Sequence, residues 1–227
     1  MEKTLLLWDI DGTLIDSGGA GERALRLSLE REFGIADDLT WLEWAGRTDI
    51  WIARQILSHH HLGTSPQLIQ RYLDGYLAAV AEAMNNPRAR VLAGVRELLE
   101  TVAAHSSVVQ GLLTGNLERG ARVKLSHFDL WRYFSFGAFA DDSETRNELG
   151  PHAIRRAAEH HQIPFQPDRV VVIGDTAHDI ACGRAIGART IAVATGKFSV
   201  EALRPFSSDI LLPDLSDAAE VMRLIGG

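Results

Sequence analysis

One cysteine, three lysines and no long apolar run set the first limits on this 227-residue chain. With Cys182 alone, no intrachain disulfide can form, which fits a reducing compartment. The thiol reads as a small buried helix residue. Lysine occurs only at Lys3, Lys124 and Lys197, and acids outnumber bases, 30 Asp+Glu against 23 Lys+Arg, for a net charge of -7. That balance argues against the basic stripe of a nucleic-acid surface and gives no general attraction to anionic lipid. No stretch approaches the roughly 20 apolar residues of a membrane helix. The N-terminal run is too short for a signal peptide and is cut off by Asp9 and Asp11. The expectation is a cytoplasmic monomer or homodimer with neither a nucleic-acid nor a membrane partner.

What the chain does have is alternation. Short apolar runs at Leu5–Trp8, Val108–Leu113, Phe134–Phe139, Val170–Ile173, Thr190–Val193 and Ile210–Leu212 are separated by segments of helical period. Val95, Leu98, Leu99 and Val102 show that period, as do Ile154, Ala157, Ala158 and His161, and Leu215, Ala218, Ala219 and Met222. Uniformly apolar strands alternating with helices imply a parallel sheet covered on both faces. The expected fold class is α/β, a Rossmann-like, doubly wound parallel sheet. Residues 16–88 interrupt it with helical spacing only, in Leu25, Leu29 and Phe33, in Ile52, Ile56 and Leu57, and in Leu68, Tyr72, Tyr76 and Ala79. The core then comprises residues 1–15 and 89–227, and residues 16–88 are an inserted helical domain. Asp16-Ser17-Gly18-Gly19 reads as its entrance and Asn85-Asn86-Pro87 as its exit.

Three strand ends carry polar residues: Asp9-Ile10-Asp11-Gly12-Thr13, Thr114-Gly115-Asn116, and Gly174-Asp175-Thr176-Ala177-His178-Asp179. In a parallel sheet these ends share one edge, where ligands bind at the reversal of winding. Four carboxylates, Asp9, Asp11, Asp175 and Asp179, cannot all stay ionised there without a cation, and hard oxygen ligands suit Mg²⁺. For any one such aspartate, Asp175 for instance, a helix N-cap is the competing reading.

Asp9-Ile10-Asp11-Gly12-Thr13-Leu14 resembles the first motif, DxDGT, of the haloacid dehalogenase superfamily. Leu113-Thr114-Gly115-Asn116 resembles its second, and Gly174-Asp175 through Asp179 its fourth, GDxxxD. Order and spacing match its phosphoglycolate-phosphatase-like branch, and the insertion matches that branch's helical cap domain. The resemblance implies a Mg²⁺-dependent phosphatase acting on a small phosphorylated metabolite through an aspartyl-phosphate. A sugar phosphomutase using the same intermediate is the alternative. Asp9 is then the nucleophile and Asp11 the proton carrier. Asp9, Asp11 (through its carbonyl), Asp175 and Asp179 serve the metal, and Gly12, Thr114, Gly115 and Asn116 the phosphate. Asp11 argues against dehalogenation, and the absence of lysine between Lys3 and Lys124 argues against a phosphonate-cleaving cap.

The family's third motif, a lysine near the start of the helix before the fourth, is missing. Arg146 is the nearest base and the residue expected to take that motif's role of anchoring Asp9 and the phosphate, with Lys124 the rival; the competing readings are a loop arginine paired with Glu144 or Glu148 and a solvated helix face. The turn Gly46-Arg47-Thr48-Asp49 matches the family's substrate-selecting cap turn, with Arg47, Thr48 and Asp49 as specificity residues. The bland reading is a helix N-cap by Thr48 or Asp49 beside a surface arginine. His59-His60-His61 reads as a solvated helix end and His178 as a surface residue, while Trp41, Trp44 and Trp51 read as core of the insertion.

Overall fold

The computed structural model describes residues 3–226. Its elements run β1 (Thr4–Trp8), β2 (Ile15–Asp16), α1 (Ala20–Phe33), α2 (Asp49–His59), α3 (Pro66–Ala83), β3 (Arg90–Val91), α4 (Val95–Ala104), β4 (Val108–Leu113), α5 (Glu118–His127), β5 (Gly137–Ala138), α6 (Leu149–His161), β6 (Val170–Gly174), α7 (Ala177–Ala185), β7 (Arg189–Val193), α8 (Val200–Leu203), β8 (Ile210–Leu212) and α9 (Ala218–Gly226). Short 3-10 turns include one at Arg146–Glu148.

Six strands form one parallel sheet in the order β5-β4-β1-β6-β7-β8. The period-2 geometry of β1 shows why its run is apolar throughout. Leu6 and Trp8 face a cluster completed by Leu98 of α4, Leu125 of α5 and Val221 of α9. Leu5 and Leu7 face the opposite cluster with Ala153 of α6 and Cys182 of α7. The chain winds outward from β1 through β4 to β5, then returns to the other side of β1 for β6, β7 and β8. The reversal therefore lies at β1, and the carboxyl ends of β4, β1 and β6 are neighbours.

Between β2 and β3, which pair antiparallel, α1, α2 and α3 enclose a separate cluster containing Leu29, Ile56, Tyr72 and Val80. The local signals are strong. Ser65 caps α3, accepting from the Leu68 N–H, with Pro66 in the first turn. Tyr72 is fully buried, and its hydroxyl donates to Leu25 O at 2.8 Å. No helix among the described residues is long and apolar enough to cross a membrane.

Three expectations need correction. The run Phe134–Phe139 yields only the two-residue edge strand β5, because a 3-10 turn at Trp131–Tyr133 precedes it and only Gly137 and Ala138 pair with β4. Leu215 lies ahead of α9 rather than inside it. Trp41 is 39% exposed and no part of the insertion's core, while Trp44 and Trp51 are partly buried against it.

Candidate active site

The carboxyl ends of β1, β4 and β6 meet the insertion across a cavity of about 540 Å³. Asp9 leaves β1 with its N–H donating to Ile173 O at 2.9 Å, so the sheet ladder itself sets its position. Its side chain is buried, and Arg146 Nη2 donates to Asp9 Oδ1 at 2.8 Å. The same Nη2 donates to Asp179 Oδ1. The other oxygen of Asp179 accepts from Thr176 N–H at 3.0 Å and Thr176 Oγ1 at 2.6 Å, closing a capping box at the start of α7. Thr176, not Asp175, is thus the helix cap.

Asp9, Asp175 and Asp179 offer carboxylate oxygens that all lie within 4.8 Å of one another. Burial pushes the Asp9 carboxyl up to about 7; Arg146 pulls it down and Asp179 pushes it further up. Burial, then Asp179 and Asp9, raise Asp175 well above the usual carboxylate range. Asp175 Oδ1 is buried without a hydrogen-bond partner. Three carboxylates against one guanidinium leave two negative charges, so the donor set fits a hard divalent cation. Asp179 has both oxygens engaged, which leaves Asp175 and Asp9 as the accessible ligands. Glycines make room around Asp175: a Cβ on Gly196 would stand 1.8 Å from its Oδ2, and one on Gly12 (φ 80°) 2.4 Å away.

Asp11 has different partners. Its Oδ2 accepts from Lys124 Nζ at 2.6 Å and from Asn116 Nδ2 at 2.9 Å, and its side chain is 36% exposed. Lys124 reaches it from α5 with only 4% of its side chain exposed, also donating to Asn116 Oδ1 at 2.6 Å. Burial disfavours the charged ammonium, but Asp11, Tyr76 and Asp49 outweigh that and raise its pKa. Neither bland reading of the two bases holds: Lys124 is not on a solvated face, and Arg146 is not a loop residue paired with Glu144 or Glu148. Thr114, fully buried, accepts from Asn116 Nδ2 at 2.8 Å and so fixes the turn after β4.

The turn Gly46-Arg47-Thr48-Asp49 is bonded to the sheet edge. Arg146 Nη1 donates to Gly46 O at 3.1 Å, Asp49 N–H to Gly115 O at 2.7 Å, and Leu117 N–H to Asp49 Oδ2 at 2.8 Å. Burial pushes the Asp49 carboxyl up to about 6, against Lys124 and the Leu117 N–H. Thr48 is buried; its hydroxyl donates to Glu144 O at 2.7 Å and caps α2 by accepting from Trp51 N–H. The hydroxyl is thereby occupied away from the cavity. Arg47 lines the cavity, and its guanidinium lies 4.4 Å from the Trp51 ring centroid. His178 is partly buried, with its Cβ where a Cβ on Gly46 would collide, and not on the open surface.

Sequence reasoning passed over Thr195, Gly196 and Lys197, which line the cavity from the end of β7. Thr195 Oγ1 donates to Gly12 O at 2.5 Å. The signal was present: a glycine just past a fourth parallel strand belongs to the same edge. For Lys124 the signal was its register with Gly120 and Ala121 on the buried face of α5.

A family model described as haloacid dehalogenase-like hydrolase matches residues 6–193. A phosphoglycolate phosphatase of Pseudomonas savastanoi pv. phaseolicola is 26% identical over 196 residues, covering 85% of this chain and 70% of that protein. A 5'-nucleotidase of Pseudomonas aeruginosa is 28% identical over 237 residues, covering 96% of this chain and 94% of its own. The crystal structure of a hydrolase from Pseudomonas syringae superposes with a TM-score of 0.76 at 19% identity, covering 98% of this chain and 99% of that one.

Proposed function

The chain belongs to the haloacid dehalogenase-like hydrolase family, and we propose that it is a Mg²⁺-dependent phosphatase that hydrolyses a small phosphomonoester through an aspartyl-phosphate on Asp9. Residues 1–15 and 89–227 are its catalytic core, and residues 16–88 its cap. The observation that carries this reading is the separation of partners at one strand end. Asp9 is buried with Arg146, Asp175 and Asp179, while Asp11, two residues on, faces the cavity with Lys124 and Asn116. Two carboxylates in different surroundings can take different roles.

In the first step a carboxylate oxygen of Asp9 attacks phosphorus as the ester P–O bond breaks. The leaving oxygen takes the proton held on the Asp11 carboxyl. Asp11 then removes a proton from a water whose oxygen attacks the same phosphorus. The Asp9–phosphorus bond breaks, and phosphate and the free carboxylate result. Lys124 and Asn116 hold the Asp11 carboxylate at the cavity, and Arg146 fixes Asp9. The amides around Gly12 and around Gly115-Asn116, with Thr114, are the phosphoryl donors. Asp9, Asp175 and the Asp11 carbonyl would hold Mg²⁺, with Asp179 behind them. When bound, the ion keeps Asp9 ionised and offsets charge on the phosphoryl oxygens.

Arg47 is the cap's selector. Among the basic side chains lining the cavity, Lys124, Arg146, Arg90 and Lys197 each have a carboxylate partner, whereas Arg47 rests on an aromatic ring. It suits a substrate with a second anionic group. The test is a panel of phosphorylated metabolites with Mg²⁺, comparing wild type with Asp9→Asn. Phosphate release by wild type alone is expected. Equal release by both would sink the nucleophile assignment, and conversion of a phosphorylated sugar to an isomer without free phosphate would favour a mutase.

A further inference from the structure

The histidine run at the end of α2 does not fan out as it would on an intact helix. The helix stops at His59, His60 leaves it at φ −87° and ψ 11°, and His61 takes φ 56°. His61 stays exposed, but His59 and His60 swing toward Asp37 on the loop after α1. One nitrogen from each ring and one Asp37 oxygen all lie within 4.8 Å of one another. His60 Nε2 is 2.9 Å from Asp37 Oδ2. Two ligand atoms on one tetrahedral zinc, at bond lengths of about 2.0–2.1 Å, stand about 3.3 Å apart.

These groups are held in place by an otherwise unexplained residue. Trp41, exposed to solvent, donates from Nε1 to Asp37 Oδ2 at 3.2 Å and stacks on His59 with ring centroids 3.8 Å apart and planes 13° off parallel. Leu39 N–H donates to the other oxygen of Asp37 at 2.7 Å. The carboxylate is thus oriented from two sides and one imidazole is fixed by its face, the kind of support that surrounds metal ligands. His60 Nε2 is buried with no hydrogen bond of good geometry, although the Asp37 oxygen is beside it.

We propose that Asp37, His59 and His60 form a site for a divalent transition metal, zinc being the best match. Two imidazole nitrogens and one carboxylate suit Zn²⁺, Ni²⁺ or Cu²⁺, and disfavour Mg²⁺, which prefers an all-oxygen shell. Three protein ligands leave one position for water. The site is separate from the acid cluster at Asp9 and does not depend on the function proposed for it. It would tie the loop that runs on to Trp44 and Arg47 to the far end of α2, whose first residue, Asp49, is bonded to the sheet edge.

The test uses tag-free, full-length protein freed of metal by chelator and then kept in saturating Mg²⁺. Equilibrium dialysis against Zn²⁺ is compared for wild type, His59→Gln, His60→Gln and His61→Gln. Wild type and His61→Gln should bind one zinc ion per chain more than the other two. Trp41→Phe should retain that ion with affinity lowered about tenfold. Zinc should raise the Tm of wild type but not of His60→Gln. Equal zinc stoichiometry in all four proteins would overturn the site and leave an Asp37–His60 ion pair only. Loss in His61→Gln as well would overturn it by showing adventitious binding to a histidine-rich surface.

Discussion

Replacing Asp9 by asparagine should stabilise the metal-free protein while removing its turnover, and the size of the gain should depend on pH. Burial raises the Asp9 carboxyl from 3.8 to about 7, with Arg146 opposing and Asp179 adding to the rise. Between those two values the folded state keeps a proton that the unfolded chain has released. Unfolding then releases protons, so stability falls as pH rises through the window. A shift of about three units at 1.36 kcal/mol each corresponds to about 4 kcal/mol, lost between roughly pH 4 and pH 7. Asparagine cannot ionise, and Arg146 keeps Asp179 as a partner, so the substitution strands no buried charge.

For a domain of this size, about 4 kcal/mol corresponds to roughly 10 °C in Tm. Scanning calorimetry in chelator should therefore show Asp9→Asn melting about 10 °C above wild type at pH 8 and close to it at pH 4. Asp175, also raised by burial, should leave the variant a residual slope of the same sign. Saturating Mg²⁺ should lift wild type more than the variant, because the cation offsets the charge that asparagine lacks. If the two proteins follow the same pH–Tm curve in chelator, or if Asp9→Asn melts lower at pH 8, the reasoning that Asp9 carries an uncompensated buried charge is wrong.

Lys124→Met should cut turnover at least about 100-fold, since Asp11 loses its anchoring ammonium. Arg146→Ala leaves two buried carboxylates without their cation and should destabilise the chelated protein by about 3–5 kcal/mol, measured by denaturant unfolding. Arg47→Ala should raise KM about tenfold for a phosphomonoester bearing a second anionic group and leave an aryl phosphate nearly unchanged; equal losses on both would count against selection by Arg47. Asp142→Asn breaks the paired hydrogen bonds from Arg156, at 2.6 Å each, that hold the loop behind β5, and should cost about 1–3 kcal/mol at pH 7. Burial works against the Asp142 carboxylate, but Arg156 and the Phe139 N–H hold its pKa below 3.8. Its stabilisation is therefore present above that value and lost as pH falls through the folded pKa, so variant and wild type should converge in acid.

The strands were legible because β1 and β6 bury both faces, which leaves near-uniform apolar runs that no exposed element would carry; β4 does the same apart from Gln110 and Gly111. The extent of the edge strand β5 was not, because Phe134 and Phe139 are apolar as core contacts and only Gly137 and Ala138 between them pair with β4. Asp9, Asp11, Asp175 and Asp179 were legible as a group because parallel topology sends all strand ends to one edge. Their division was not. Which oxygen meets which cation depends on a turn at Arg146 and on the rotation of α5 about Lys124, and periodicity fixes neither. The histidine run misled for a related reason: helical geometry separates neighbours, but here the helix ends between His59 and His60.

That division also dissolves the question the sequence posed, whether Arg146 or Lys124 supplies the missing base. The two cations do not compete for one carboxylate. Lys124 is bonded to Asp11 at the cavity wall, and Arg146 is set among Asp9, Asp175 and Asp179, one cation against three carboxyl groups. A lysine in place of Arg146 could not reach as many acceptors: the planar guanidinium donates to Asp9, Asp179 and Gly46 O at once. Gly46 belongs to the turn that carries Arg47. The residue that orders the buried acids is thus also the one that fastens the turn carrying Arg47 over them. The position of the cap loop and the orientation of Asp9 are set by the same side chain.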